Sequence, residues 1–331
     1  MFLKDRIICF SRLGERLKNL SEDEYQELWK SANNQNSWFT EESVKSAIVG
    51  IVQFLERDTL ETWVNSYSLE NIVPKKIGTI AAGNIPLVGF HDLLSVLISG
   101  HILLLKPSSE DSYLMNFIRD ELVKLNVSMT ERFKLVDRLN EADAYIATGS
   151  DNSARYFNYY FKDKPNLIRA NRTSVAVLNG DETDEQLEKL GNDIFQYYGL
   201  GCRNVSKVFV SENYDLTKLL DALKSFEYIA DHHKYNNNYD YNKSIYLVNG
   251  EAHLDNGFLL MRESDQLVSP ISVLYYERFE DTSDLQNKLK ENDSKIQCIV
   301  GEEYIAFGQA QCPMVTDYAD GVDTLKFLEA V

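Results

Sequence analysis

Residues 76–106 read KIGTIAAGNIPLVGFHDLLSVLISGHILLLK. An apolar strand over 77–82, a turn at Gly83-Asn84-Ile85-Pro86, an apolar helix and a second apolar strand over 101–106 follow one another. Together they fill about the ~30 residues that a βαβ unit takes. Gly100 ends the helix, because glycine tolerates the left-handed conformation found at many helix ends. Since the two strands of such a unit are parallel, the segment predicts an α/β protein with a parallel sheet.

The chain after this unit continues the alternation of strands and helices. Pro107 ends the second strand, and Ser108 or Ser109 is expected to cap a helix with Glu110-Asp111 in its first turn. Apolar residues recur at helical spacing over 114–125, which supports that helix.

A third strand is predicted over 143–148, where Thr148 leads into Gly149-Ser150-Asp151 at the start of another helix. A strand-to-helix turn of glycine and hydroxyl residues presents backbone N–H groups to a phosphate. Such turns are also common without a ligand, so this local sequence alone is weak evidence for phosphate binding.

A second α/β unit carries the cysteine with the most distinctive surroundings. A strand over 175–178, a helix over 182–198 and a strand over 205–210 are predicted, with Gly199-Leu200-Gly201 and Cys202 between the last two. A cysteine in such a turn is accessible, and nearby backbone N–H groups lower the pKa of a thiol. Taken alone, the same residue also suits a small buried apolar side chain.

Composition limits the class of protein. A length of 331 residues fits roughly two domains, and 44% hydrophobic with 26% charged residues is an ordinary globular composition. The net charge of −17 disfavours nucleic acid and anionic membranes as partners. Four cysteines without a CxxC pair predict neither a disulfide framework nor a zinc site. Neither a signal segment nor a membrane span is visible, so we expect a cytoplasmic protein, mainly helical over residues 1–70.

Four other features have simple structural interpretations. His232-His233 precedes a stretch, 235–242, that is expected to be an exposed loop, where two adjacent histidines do not converge on a metal. His91-Asp92 fits a helix-start hydrogen bond better than a proton donor. The aromatic run 156–161 is expected to pack in the core or in an interface, and a wall for an acyl chain stays an alternative. Three cysteines are expected to be structural: Cys9, Cys298 and Cys312.

Four motifs together resemble the aldehyde dehydrogenase superfamily in order and spacing. They are Gly83-Asn84-Ile85-Pro86, Leu105-Lys106-Pro107-Ser108, Thr148-Gly149-Ser150 and Gly199-Leu200-Gly201-Cys202. Within the superfamily the chain is similar to the acyl-CoA reductase branch, which contains the long-chain acyl reductase of bacterial bioluminescence. Residues 82–87, 201–206 and 307–311 carry that similarity. The resemblance is firm over 76–210, loose from there to 331 and almost absent before 70.

The resemblance implies a role for each motif residue. Cys202 would take the acyl group as a thioester, and the side-chain N–H of Asn84 would join the backbone N–H of Cys202 in stabilising the oxyanion. Lys106 matches the lysine that holds the ribose of a nicotinamide cofactor, and Gly149 and Ser150 match the turn at its pyrophosphate. The adjoining hydroxyl residues complete the expected cofactor site: Ser108, Ser109 and Thr148.

Departures from the superfamily pattern narrow the reaction. Hydrolytic members carry a glutamate where this chain has Leu167-Ile168-Arg169-Ala170-Asn171-Arg172. Without that general base, exchange with a thiol is favoured over hydrolysis, which suits acyl-CoA chemistry. A second glutamate, which in the superfamily contacts the nicotinamide ribose, is replaced by Gln266. The chain is also shorter than the superfamily norm.

The expected protein is an aldehyde-dehydrogenase-like α/β enzyme with two domains, each built on a parallel-rich sheet with flanking helices. Residues 1–168 would hold the helical region and the nucleotide, residues 169–300 would present Cys202, and residues 301–331 would pack back as a tail. The reaction would reduce an acyl-CoA, or another activated acyl donor, to the aldehyde. An acyl-phosphate reductase and a catalytically silent nucleotide-binding relative stay alternatives. A homo-oligomer or an acyl-activating synthetase is left open as partner.

The expected cofactor is NADP(H), with NAD(H) as the alternative. NAD-preferring members of the superfamily commonly carry an acidic residue three positions after the strand-ending lysine, and here Ser109 stands three positions after Lys106. A hydroxyl imposes no charge penalty on a 2′-phosphate. Glu110 is one residue further on, and on a helix its side chain would point about 100° away from that of Ser109.

Overall fold

The computed structural model describes residues 1–331, which group into two compact units. Unit 1 comprises residues 1–171 and 313–331, and unit 2 comprises residues 172–312. Each unit contains a parallel-rich sheet flanked by helices, which confirms the predicted fold class. The assignment of nucleotide binding and catalysis to residues 1–168, 169–300 and 301–331 stays a prediction, because packing alone does not define those functions.

Unit 1 begins with four helices, as the sequence predicts for residues 1–70. These are α1 (Leu3–Lys18), α2 (Glu22–Gln35), α3 (Glu41–Phe54) and α4 (Arg57–Val64). The rest of the unit consists of β1 (Lys76–Ile80), α5 (Phe90–Ser99), β2 (Ile102–Lys106), α6 (Ser112–Leu125), α7 (Met129–Arg132), β3 (Phe133–Leu135), β4 (Ala144–Thr148), α8 (Asp151–Phe161) and β5 (Asn166–Arg169). A C-terminal helix, α13 (Thr324–Ala330), completes it.

The sheet of unit 1 has the order β3-β2-β1-β4-β5, and all its strand pairs are parallel. The βαβ unit predicted at 77–106 is therefore confirmed. Gly100 closes α5 in the left-handed conformation, with φ of 101°. Because β1 lies between β2 and β4, the loops that follow these three strands emerge at one edge of the sheet. The short strands β3 and β5 lie outside the sequence prediction.

The helix after β2 begins later than the sequence predicts. α6 starts at Ser112, and Asp111 occupies its N-cap position without a side-chain capping bond. Ser108 instead accepts the backbone N–H of Glu110 at Oγ, at 3.2 Å, and its carbonyl accepts the N–H of Asp111. The expectation that Ser108 or Ser109 caps the helix was wrong, because this local turn competes with a helical start.

Unit 2 is built on the sheet order β11-β6-β7-β10-β9-β8, in which only the β8–β9 pair is antiparallel. Its strands are β6 (Thr173–Leu178), β7 (Val205–Ser211), β8 (Leu254–Asp255), β9 (Leu260–Glu263), β10 (Val273–Phe279) and β11 (Ile296–Val300). Its helices are α9 (Asp184–Phe195), α10 (Leu216–Ala222), α11 (His233–Asn249) and α12 (Thr282–Glu291). The strands and the helix predicted around Cys202 are thus confirmed.

The Asn- and Tyr-rich stretch 235–242, expected to be a loop, lies within α11. Three of its side chains are buried, Tyr235, Tyr239 and Asn242, and the Nδ2 of Asn242 donates to the carbonyl of Ile271 at 3.0 Å. Helical packing of tyrosines and a satisfied amide therefore override the low helix propensity of asparagine.

A buried ion pair ties β5 to α5 inside unit 1. Arg169 Nη1 donates to both carboxylate oxygens of Asp92, at 2.7 and 2.6 Å, and its Nη2 donates to the hydroxyl of Thr324 at 2.8 Å. Arg169 and Asp92 are both buried. A pair out of water is strongly destabilised when one partner is removed, because the other charge stays buried and unpaired.

Substitution of Arg169→Met should therefore lower the free energy of unfolding by ~3 to 5 kcal/mol. The double variant Arg169→Met with Asp92→Leu should recover most of that loss, because neither charge stays behind. Urea denaturation followed by circular dichroism measures both values. A single-variant loss below ~1 kcal/mol would show that Asp92 is not left as an uncompensated buried charge.

Candidate active site

The predicted site residues of unit 1 all lie at the carboxyl edge of its sheet. Asn84 follows β1, Lys106 ends β2, and Thr148-Gly149-Ser150 connects β4 to α8. A Cβ atom built on Gly83 would lie 2.5 Å from the Cβ of Ser108, so the loops after β1 and β2 touch. The parallel topology thus brings these segments together at the edge where α/β sheets bind their ligands.

Asn84 is exposed on a turn whose backbone is held from two sides. The carbonyl of Gly83 accepts from Asn36 Nδ2 at 3.4 Å. Leu87 has φ of 57°, an uncommon conformation for a side chain of this size, and its N–H donates to Asp111 Oδ2 at 2.9 Å. Burial raises the pKa of Asp111 well above its usual range. Sequence reasoning placed Asp111 in a helical turn and missed this support.

Lys106 at the end of β2 and Ser109 and Glu110 in the turn that follows are all exposed. Ser109 and Glu110 stand in the turn that Ser108 organises, not on a helix, so the expected separation of about 100° between their side chains does not apply. The segment therefore offers a cation, two hydroxyls and a carboxylate to a ligand at the sheet edge.

The β4–α8 connection is a tight strand-to-helix turn. Ser150 caps α8 by accepting the N–H of Ser153 at 3.3 Å, and the N–H of Gly149 donates to the carbonyl of Arg169 at 3.2 Å. A Cβ on Gly149 would lie 2.7 Å from the Cβ of Ser153, so the close approach of α8 requires glycine. The N–H of Gly149 is thus engaged within the protein.

In unit 2, Cys202 is exposed on a sharply bent turn between α9 and β7. Tyr197, Tyr198 and Gly199 are consecutive residues with positive φ, of 53°, 60° and 77°. Two non-glycine residues in this region are costly, at roughly 1 kcal/mol or more each, and persist only where the surroundings hold them.

The buried side chain of Asn204 holds this turn. Its Nδ2 donates to the carbonyls of Asp193 and Ile194 at 3.2 Å and of Gln196 at 2.8 Å. Its Oδ1 accepts the N–H of Gly201 at 2.8 Å. The last carbonyls of α9, which have no helical partner, are thereby tied to the residue before the cysteine.

Three further side chains complete the surroundings of Cys202. The Ser174 hydroxyl donates to the carbonyl of Cys202 at 3.1 Å and lies 3.0 Å from the Cys298 sulfur. The Arg203 guanidinium donates to the carbonyl of Ala310. Asp193 accepts backbone N–H groups of the 308–310 turn, and burial raises its pKa to about 6. Sequence reasoning placed Arg203 and Ala310 within similar segments but gave them no role, and it missed Ser174 and Asp193, which belong to no motif.

At the two positions where the resemblance to the superfamily would place a glutamate, this chain has other residues. Residues 167–172 contain no carboxylate, and Arg169 within them is committed to the ion pair with Asp92. Gln266 is exposed on the loop between β9 and β10.

The remaining sequence features have mixed outcomes. The helix-start hydrogen bond expected of His91-Asp92 is wrong, because α5 has no side-chain cap and the Asp92 carboxylate accepts from Arg169. His91 Nε2 lies 2.8 Å from the carbonyl of Val315, and burial lowers the pKa of its imidazole. No cluster of three or more metal-ligating side chains exists.

Within the aromatic run, Tyr156, Tyr159 and Tyr160 are 65 to 70% exposed, so core packing is wrong for them. Cys9 is buried, Cys298 is half-buried and Cys312 is exposed. No helix combines the length and the apolar character that spanning a membrane requires.

The family model described as acyl-CoA reductase (LuxC) matches residues 12–226, about two thirds of the chain. That match begins well before residue 70, so the expectation of almost no resemblance in the helical region was wrong. No curated protein matches the sequence significantly.

Solved aldehyde dehydrogenases share the fold. Aldehyde dehydrogenase 21 of Physcomitrella patens, solved with its product succinate, is 13% identical over 100% of this chain and 84% of that chain, with a TM-score of 0.68. The NAD+ complex of a Bacillus cereus aldehyde dehydrogenase is 14% identical over 91% of this chain and 72% of that one, with a TM-score of 0.65. A Mycobacterium tuberculosis aldehyde dehydrogenase, complexed with NAD+, is 12% identical over 87% and 71%, with a TM-score of 0.64.

Proposed function

The chain belongs to the acyl-CoA reductase (LuxC) family, and from that premise we propose that it reduces an acyl-CoA thioester to the aldehyde through an acyl-cysteine on Cys202. Family and fold together make it an oxidoreductase that acts on acyl groups or aldehydes. The observation that carries the finer proposal is the exposed Cys202 on a turn that Asn204 and Ser174 hold in place.

The first step is acyl transfer. The Cys202 thiolate attacks the carbonyl carbon of the donor, a new C–S bond forms, and the C–S bond to coenzyme A breaks with release of its thiolate. Negative charge develops on the carbonyl oxygen during the attack. The side-chain N–H of Asn84 and the backbone N–H of Cys202 are proposed as donors to that oxygen.

The fate of the thioester is inferred from the glutamate that hydrolytic members of the superfamily carry and this chain lacks. Hydrolysis needs a base to activate water, and residues 167–172 hold no carboxylate for that task. A thiol or a hydride is therefore the preferred acceptor. An acyl phosphate would acylate Cys202 equally well, and the choice of donor rests with the family. A second copy of the chain or an acyl-activating synthetase remains a proposed partner.

The carboxyl edge of the unit 1 sheet suits a nicotinamide dinucleotide. Lys106 supplies a cation, Ser108, Ser109 and Thr148 supply hydroxyls, and Gly149-Ser150 opens a helix whose first N–H groups favour an anion. A bound reduced nicotinamide supplies the hydride for the second stage. The Cys202 sulfur then serves as the leaving group when the aldehyde is released.

NADPH is the proposed form of the cofactor. Ser109 is an uncharged donor where NAD-preferring relatives carry an acid, and Lys106 lies nearby. The exposed Glu110 on the same turn opposes this preference by charge. The preference therefore depends on Ser109 and Lys106 outweighing Glu110 at the 2′-phosphate.

Incubation with acyl-CoA in the absence of nucleotide should leave a lasting acyl adduct on Cys202, because water is not activated. Intact-protein mass spectrometry measures the added acyl mass for donors of graded chain length. Cys202→Ala should abolish the adduct, whereas Cys312→Ala, which removes another exposed cysteine, should retain it. An adduct that survives in Cys202→Ala, or none with any donor, contradicts the mechanism.

Asn84→Ala should lower kcat by a factor of ~100 to 1,000, as loss of one oxyanion donor usually does. Nucleotide affinity should stay near that of the wild type, since the donor acts on the acyl group. Steady-state kinetics and a nucleotide titration separate the two effects. Asn116→Ala, which removes an exposed amide on α6, serves as control. An unchanged kcat would remove Asn84 from the oxyanion site.

Wild-type protein should bind NADPH more tightly than NADH, and Ser109→Glu should reverse the order by ~10-fold through repulsion of the 2′-phosphate. Glu110→Gln should strengthen the preference for NADPH, because it removes the opposing charge. Fluorescence titration with both dinucleotides gives the ratios. Wild-type binding of NADH at least as tight as that of NADPH would overturn the assignment.

A further inference from the structure

We infer that Asp193 is a positioning residue for acyl transfer: it ties the turn 308–310 to both neighbours of Cys202 and so sets the direction of the thiolate. The inference rests on the proposed role of Cys202. It also gives a function to the segment 307–311, which the acyl-transfer mechanism leaves without one.

The first connection runs from the carboxylate of Asp193 to Arg203. Asp193 is fully buried, and its oxygens accept the N–H groups of Gly308 at 2.6 Å and of Ala310 at 2.8 Å. The Arg203 guanidinium donates to the carbonyl of the same Ala310. The residue directly after Cys202 is thereby linked through the 308–310 turn to Asp193.

The second connection runs through the backbone of Asp193. Its carbonyl accepts from Asn204 Nδ2 at 3.2 Å, and Asn204 Oδ1 accepts the N–H of Gly201 at 2.8 Å. The residue directly before Cys202 is thus also linked to Asp193. Movement of this one residue would shift both flanks of the cysteine.

Burying an ionised carboxylate costs free energy unless hydrogen bonds or an opposite charge compensate it. Ionised carboxylates are rarely buried without full compensation, and an apolar residue would fill the same space on α9 at no such cost. Here the oxygens meet two backbone N–H groups, and the charge of Arg203 acts on them favourably. Burial raises the pKa of the Cys312 thiol, and the charge of Asp193 raises it further.

The test is Asp193→Asn, which keeps the volume but leaves one oxygen for two N–H donors. Single-turnover acylation of Cys202 by acyl-CoA at pH 7.5 should slow by ~10 to 100-fold, the range that a small misplacement of reacting groups produces. The donor concentration for half-maximal rate should change less than about twofold. Glu188→Gln, which removes an exposed charge from the same helix, should behave as wild type.

The rate of Cys202 alkylation by iodoacetamide is measured in parallel, because it needs no acyl donor. A folded Asp193→Asn protein with wild-type acylation and alkylation rates overturns the inference and leaves the proposed function intact. So does a loss of rate that merely follows a loss of folded protein in the melting curve. If wild type forms no acyl adduct, the proposed function fails, while the alkylation rates still decide the role of Asp193. Should Asp193→Asn not fold, Arg203→Lys tests the other end of the link and should slow the same steps.

Discussion

The geometry around Cys202 depends on one buried amide. Asn204 donates to the carbonyls of Asp193 and Ile194 in α9 and of Gln196 just after it, and it accepts the N–H of Gly201. A single side chain therefore joins the helix end to the cysteine turn. A helix normally leaves its last carbonyls to water or to a gradual cap. Because Asn204 takes them over, the chain can leave α9 at once through residues 197–199, all with positive φ. The thiol is then exposed on a defined backbone instead of a mobile loop.

In unit 1, the topology of the sheet positions the loops that carry the candidate site residues. Its central strand β1 pairs with β2 on one side and β4 on the other, both in parallel. Parallel strands direct their carboxyl ends to one edge, and crossover helices supply the connections. Asn84, Lys106 and Ser150 are far apart in sequence, yet the loops that carry them emerge together. The contact of Gly83 with Ser108 shows how tightly two of these loops pack.

Charge is distributed differently inside and outside this protein. The net charge of −17 creates a field that repels a dinucleotide, so a cofactor must be held by local groups such as Lys106 and the start of α8. In the interior, each acidic group described above has a specific partner. Asp92 meets Arg169, and Asp193 meets two backbone N–H groups under the influence of Arg203. Hydrogen bonds to these buried carboxylates fix the orientation of their partner groups, whereas apolar packing is not directional.

The sequence by itself determined the βαβ unit at 76–106, the strands around Cys202 and the family, because apolar periodicity, glycine positions and motif spacing are local properties. It misplaced the start of α6 and read part of α11 as a loop, since a turn made by Ser108 and the burial of tyrosines compete with local propensity. Only the tertiary structure decided what supports the candidate site. Asp193 and Ala310 are 117 residues apart, and Asp92 and Arg169 are 77 apart. No local pattern marks such partners, because a carboxylate finds its donors only when distant segments have packed together.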